Sequence, residues 1–182
     1  RLVGMYMMAI KGRLLCIGDA TVNIYPDTRT LAEIAVQTAR VARRFGVLPR
    51  VAMLSFSNFG SSREMRSNRV EEAVRLAREL APSLIIDGPM QADTALVPDI
   101  QEQFPFMKFS GPANVLICPN LAAANISYKL LDHLGDAEMT GPILEGTAKP
   151  VQVLQQGDGM RDVVNMAAIC AVDAQRHAQE TL

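Results

Sequence analysis

Apolar residues along this chain fall into two patterns: short unbroken runs, and stretches where they return every three to four positions. RVAMLSF (50–56), SLIIDG (83–88) and residues 114–118 are unbroken runs, as expected of strands buried on both faces of a parallel sheet. The opening MYMMAIKGRLLCIGDATVNIYP predicts two or three strands turning at Gly12 and at Gly18–Asp19. Helical spacing runs from Thr30 to Phe45, with Thr30 and Glu33 as a capping box and Gly46 as the stop. A second helix is predicted near 67–81, with Val70, Ala73, Val74, Ala77 and Leu80 on one face and Pro82 ending it. A short helix is expected to begin around Pro98. A longer one follows the cap Asn120 and closes at Gly135. EMTGPIL and KPVQVL read as short strands or extended segments. The last helix is MRDVVNMAAICAVDAQRH, with Val163, Met166, Ala167, Cys170 and Ala174 lining one side. Strands alternating with helices after an opening meander define an α/β fold with a largely parallel sheet and flanking helices.

Composition narrows the class. The chain has 182 residues, 49% of them hydrophobic, which is ample for a packed core of one domain or two small lobes. Its net charge of −1 lacks the basic excess of a duplex nucleic-acid binder. No apolar run reaches the roughly 18 residues of a membrane span, and no secretory signal is recognisable. The expectation is a cytoplasmic protein that engages neither nucleic acid nor membrane. Cys16, Cys118 and Cys170 are far apart in apolar settings and read as buried, reduced thiols. His133 and His177 have no partner at ligand spacing, so no metal site is expected. The chain opens on RLVGMYMM without an initiator methionine, as a fragment of a longer protein would.

Ligands of open α/β sheets gather beyond the carboxyl ends of the strands, and four such places carry polar residues. In LSFSNFGSSR, Ser55, Ser57, Ser61 and Ser62 offer hydroxyls, and Gly60 permits close backbone approach before a helix. This is an anion seat or an ordinary capped turn. Asp87 and Asp93 in DGPMQAD suit acid–base work or a metal, but their spacing fits no metal loop, and turn carboxylates are commoner. Asn125 and Lys129 lie one turn apart on a helix, with Tyr128 adjacent. In VQVLQQGDGMRD, a strand meets Gln155, Gln156, Gly157 and Gly159 at a helix N-terminus. That is another anion seat, with Asp162 in the first helical turn. Arg40, Arg43 and Arg44 complement the first helix's dipole. Arg63, Arg66, Arg69, Arg75 and Arg78 either meet a phosphate or form a solvated face paired with Glu71, Glu72 and Glu79.

Taken in order, VAMLSFSNFGSS, DGPMQADTAL, GPANVLICPNLAAANISYKLL, GPILEGTAKPVQVLQQG and RDVVNMAAICAVDAQ resemble the signatures of the phosphate acetyltransferase (phosphotransacetylase) family, over about residues 5 to 175. MYMMAIKGR, the SNFGSS loop and NMAAICAVDAQ look more like one branch, the phosphotransacetylase-like C-terminal domain of bacterial NADP-dependent malic enzymes. The resemblance implies two α/β lobes similar to the isocitrate dehydrogenase architecture. Residues 1–146 would be the second lobe, and 147–182 the segment that returns to a first lobe absent here.

Phosphotransacetylases read Leu-Ser-Arg-Gly where this chain has Leu154-Gln155-Gln156-Gly157. The resemblance implies that this serine organises the reacting centre, that the arginine binds phosphate, and that the aspartate at Asp162 is the base for the coenzyme A thiol. Losing a donor aimed at transition-state charge costs roughly 10²–10³ in rate. The resemblance therefore implies a degenerate catalytic site at Gln155, Gln156 and Asp162. It leaves Ser55, Ser57, Gly60, Ser61, Asn125, Lys129, Gln155, Gln156 and Gly157 to bind acetyl-CoA or CoA as an effector. The fragment itself would hold no cofactor. NADP, a divalent metal and malate oxidation would belong to a linked malic-enzyme domain, with this part regulating it and mediating homo-oligomerisation. The alternatives are an active phosphate acetyl- or butyryltransferase and a purely structural oligomerisation module.

Overall fold

The computed structural model describes residues 1–61 and 65–180. Among the described residues six strands and six helices follow one another: β1 (Val3–Ile10), β2 (Arg13–Gly18), α1 (Thr28–Arg44), β3 (Arg50–Leu54), α2 (Met65–Leu80), β4 (Ile85–Met90), α3 (Ala92–Leu96), α4 (Pro98–Gln101), β5 (Val115–Ile117), α5 (Leu121–Leu134), β6 (Glu138–Glu145) and α6 (Met160–Glu180). The strands form one sheet in the order β4-β3-β5-β2-β1-β6. β4, β3, β5 and β2 pair in parallel. β1 is antiparallel to both β2 and β6, so β1 alone runs against the rest. The largely parallel α/β sheet expected from the apolar runs is present, and the opening meander is a two-stranded hairpin.

Two apolar cores fill the two faces. One joins Met5, Cys16, Met53 and Ile117 to the inner faces of α1 and α2. The other joins Tyr6, Met8, Ile17 and Leu116 to Ala124 and Tyr128 of α5. Period-two alternation explains the split, since Met5 and Tyr6 are neighbours in β1 and point to opposite faces. Helix α2 buries Val70, Ala73, Val74 and Ala77 as its spacing predicts, whereas Leu80 in its last turn is 45% exposed.

Local details depart from expectation in three places. First, α1 begins before Thr30: Asp27 is the cap, and its carboxylate accepts the Thr30 N–H at 2.7 Å. Glu33 does not reach back but pairs with Arg29 at 3.0 Å. Hydrogen bonding from Thr30 lowers the Asp27 carboxyl below its ordinary value. The cap's contribution is therefore present at neutral pH and lost as pH falls through the lowered value. Asp27→Ala should cost about 1 kcal/mol near neutrality and almost nothing in acid, read from urea midpoints at two pH values. Second, KPVQVL forms no strand. Third, α6 buries Met166 and Ile169, while Val163, Ala167 and Ala174 are exposed and Cys170 is half-buried.

Candidate functional site

Parallel strands bring their carboxyl ends to one edge, and the loops after β2, β3, β4 and β5 meet there. The loop after β2 is built on Asp19, which is 4% exposed. Its carboxylate accepts from the backbone amides of Gly4, Thr21, Val22 and Asn23 and from the Asn23 side chain. This loop holds Ile24 and Tyr25 outward, 62% and 82% exposed.

The serine loop after β3 is tied to β4. Ser55 N–H donates to the Met90 carbonyl at 2.8 Å, and Phe59 N–H to that of Pro89 at 2.7 Å. The Asn58 side chain donates to the Gln91 side-chain carbonyl and accepts the Gln91 backbone N–H, and the Gln91 amide nitrogen donates to the Phe56 carbonyl. Phe59 packs in a triangle with Phe104 and Phe106. Ser57 is buried, Ser55 is half-buried, and Gly60 and Ser61 are exposed. Gly60 takes φ +78°, so its glycine is required by the turn itself. Ser62, Arg63 and the Arg66 side chain lie outside the described residues.

The glutamine turn is anchored elsewhere. The Gln155 amide nitrogen donates to the Tyr6 hydroxyl, and Tyr6 stacks on Tyr128 with ring centroids 4.1 Å apart. Burial, with Tyr128 adding to it, raises the Tyr6 phenol far above its ordinary value, so it is no base at neutral pH. The expected anion seat at this turn is filled by the chain's own carboxylates. Asp158 accepts the Gln155 N–H at 2.6 Å, and Asp162 accepts the Gly159 N–H at 2.8 Å. Gln155, Gln156 and Gly157 are exposed. On α5, Asn125 donates weakly to the Ala20 carbonyl at 3.4 Å, and the exposed Lys129 ammonium sits 5.2 Å from the Tyr128 ring centre. Gln155, Tyr128, Lys129 and Asn125 therefore cluster around β1 and α5, whereas the serine loop belongs to β3 and β4. Three strand spacings separate β3 from β1, roughly 14 Å.

The acidic and basic candidates divide similarly. Asp87 is 6% exposed and accepts from Arg78 at 2.8 Å and from the amides of Gly88 and Lys108, so it organises a turn. Asp93 accepts the Thr94 N–H. Arg75 pairs with Glu72 and Glu79 on a solvated face. Arg69 and Arg78 do not belong to that face, because both reach backbone carbonyls. Arg69, expected to meet a phosphate or a solvated face, instead meets two carbonyls 43 and 50 positions away, which no local signal in the sequence marks. Burial pushes the Cys16 and Cys118 thiols up to about 12, leaving both protonated near neutrality. Among the described residues no helix is long and apolar enough to cross a membrane.

A second polar cluster lies at the end of β6. Arg44 forks onto Glu145 with two bonds of 2.6 Å and approaches Asp173 at 3.5 Å, beside a cleft of about 260 Å³. Gln152 joins it, accepting the Leu144 N–H and donating to Asp173. Burial raises the Asp173 carboxyl, and the Arg44 charge does not offset it. A raised folded value means the ionised form costs stability above that value, with the cost relieved as pH falls toward the ordinary carboxyl range. Asp173→Asn should therefore match or exceed the parent's stability near neutrality, and that advantage should vanish in acid; chemical unfolding at both pH values tests it.

The chain is thus an open α/β sheet with polar loops at its carboxyl edge and a glutamine turn beside a tyrosine pair. The chain belongs to the phosphate acetyl/butaryl transferase family, whose model matches residues 1–171. It is 43% identical to the phosphate acetyltransferase of Bacillus subtilis over 172 residues, covering 94% of this chain and 53% of that protein. It is 48% identical to the NADP-dependent malic enzyme of Escherichia coli over 161 residues, covering 87% of this chain and 21% of that protein. A phosphotransacetylase from Streptococcus pyogenes superposes with a TM-score of 0.93 at 37% identity, covering 97% of this chain and 54% of that one. The chain thus spans about half the length of these acetyltransferases and about a fifth of the malic enzyme.

Proposed function

We propose that these residues form part of a regulatory domain that binds acetyl-CoA without transferring its acetyl group, linked to an NADP-dependent malic-enzyme domain. The observation that carries the reading is the glutamine turn. Where the resemblance implies serine and arginine, Gln155 commits its amide donor to Tyr6 and Gln156 brings no charge. Asp162, implied as the base, instead caps its own helix through Gly159. Gln155 and Gln156 can hold a ligand by hydrogen bonds, but they bring no positive charge to offset the charge developing in acyl transfer. The 48% identity to a malic enzyme supports the same branch.

In this reading residues 147–182 pack against a further lobe. Val151, Val153, Leu154, Met160, Val164 and Val172 are all more than 40% exposed, an outward apolar surface that fits such a neighbour. An elongated ligand would reach both the serine loop and the glutamine turn. The second reading, an active phosphate acetyl- or butyryltransferase, is favoured by the 43% identity to a phosphate acetyltransferase over 94% of the chain.

Calorimetric titration of acetyl-CoA, with a parallel assay of acetyl phosphate formation from acetyl-CoA and phosphate, separates the readings. Saturable binding without turnover is the expected result. Turnover at an ordinary enzymatic rate would overturn it in favour of the transferase. Absence of binding at millimolar ligand would leave a structural oligomerisation module.

A further inference from the structure

Strands β2 and β5 are neighbours in the sheet and run parallel, yet the helices that leave them diverge. Helix α1 packs on the face that holds Met5 and Cys16, and α5 on the face that holds Tyr6 and Ile17. At such switch points of open α/β sheets ligands gather in the crevice beyond the strand ends, here between the starts of the two helices. Both helices begin alike, with a proline and then a capping side chain: Pro26–Asp27 for α1 and Pro119–Asn120 for α5. Arg69, from the first turns of α2, reaches into this junction. One guanidinium nitrogen donates to the Pro26 carbonyl at 3.1 Å, and the other donates to the Pro119 carbonyl at 2.8 Å. A further link joins the two loops directly, from Leu121 N–H to the Ile24 carbonyl at 3.2 Å.

We propose that Arg69 is a positioning residue: its fork sets the gap between the starts of α1 and α5, and so the width of the crevice between them. The planar guanidinium suits this task because its nitrogens diverge at a fixed angle and span two acceptors at once. A lysine ammonium carries the same charge but acts as a point. Asn125 also faces this region through the Ala20 carbonyl, so a change in the gap moves a residue expected to touch ligand.

The distinction between fork and charge makes the proposal testable with Arg69→Lys and Arg69→Met. Hydrogen exchange is followed by mass spectrometry on the folded chain. Amides of residues 20–25, of Asp27 and of residues 120–124 should exchange about tenfold faster in Arg69→Lys, which can keep one of the two charge-assisted hydrogen bonds, and at least as much faster in Arg69→Met, which loses both. Amides of the β1–β2 hairpin should be unaffected. Parent-like protection in Arg69→Lys would overturn the proposal, since charge alone would then suffice. So would loosening spread evenly over the whole sheet. The consequence for ligand rests on the acetyl-CoA reading. Affinity should fall about tenfold in both variants, and unchanged affinity in either, beside a parent that binds, would overturn it. A parent that does not bind acetyl-CoA would count against that reading alone, and the exchange measurement would still decide the role of Arg69.

Discussion

Gly18→Ala is expected to cost about 3 kcal/mol, because the new methyl group has nowhere to go. Gly18 ends β2 directly beneath α1, and an added Cβ would lie 2.9 Å from Thr38 Cγ2 and also press on Thr38 Oγ1. Thr38 is fully buried, so its side chain cannot swing into solvent. The helix must lift, which separates α1 from the Cys16 and Ile117 side chains beneath it. At about 2–4 °C per kcal/mol for a chain of this size, the melting temperature should fall by roughly 6–12 °C. Thr38→Ala in the same chain removes the obstructing atoms and should recover most of the loss, an interaction a double-mutant cycle reads directly. A melting point within about 2 °C of the parent for Gly18→Ala alone would mean that α1 is not seated as described.

Arg44→Met is the second large effect. Methionine keeps the apolar stem but removes the guanidinium that forks onto Glu145 and lies beside Asp173. Two half-buried carboxylates are then left facing each other. Breaking a fully buried pair costs about 3–5 kcal/mol, and partial exposure of Arg44 (30%) and Glu145 (18%) reduces this to about 2–3 kcal/mol. Adding Glu145→Gln should restore a good part of it, because the repulsion then disappears. Urea midpoints of the two single variants and the double variant measure the coupling. Strictly additive losses would show that Arg44 contributes through packing alone.

Much of the architecture was legible along the chain because it rests on local periodicity. The apolar runs at β3 and β4 and the helical spacing of α1, α2 and α5 each specify an element within a few residues. Boundaries were less legible where several residues could do one job. Asp27, Thr28 and Thr30 all carry a capping oxygen, and only the backbone direction at Asp27 selects it. The stripe expected on α6 meets the core at Met166 and partly at Cys170, but Ile169 takes the other buried place, while Val163, Ala167 and Ala174 are exposed. Long-range chemistry left no trace in the sequence. Gln155 meets Tyr6 across 149 positions, and Arg69 and Arg75 look alike on one helix although one ties two loops and the other faces water. The placement of β5 between β3 and β2 is likewise a property of the sheet, invisible to any window of the chain.

The reversed strand β1 has a consequence for how the chain is made. Its partner on one side, β2, follows within three residues, but its partner on the other, β6, lies some 130 positions later. During synthesis the hairpin forms early and presents VGMYMMAI, an apolar and β-prone stretch, with one row of backbone donors and acceptors unpaired. Until Glu138–Glu145 has left the ribosome, that row is an open invitation to other nascent chains. Chains halted before residue 138 should therefore accumulate as aggregates or as chaperone-bound species, while chains released after 145 should not.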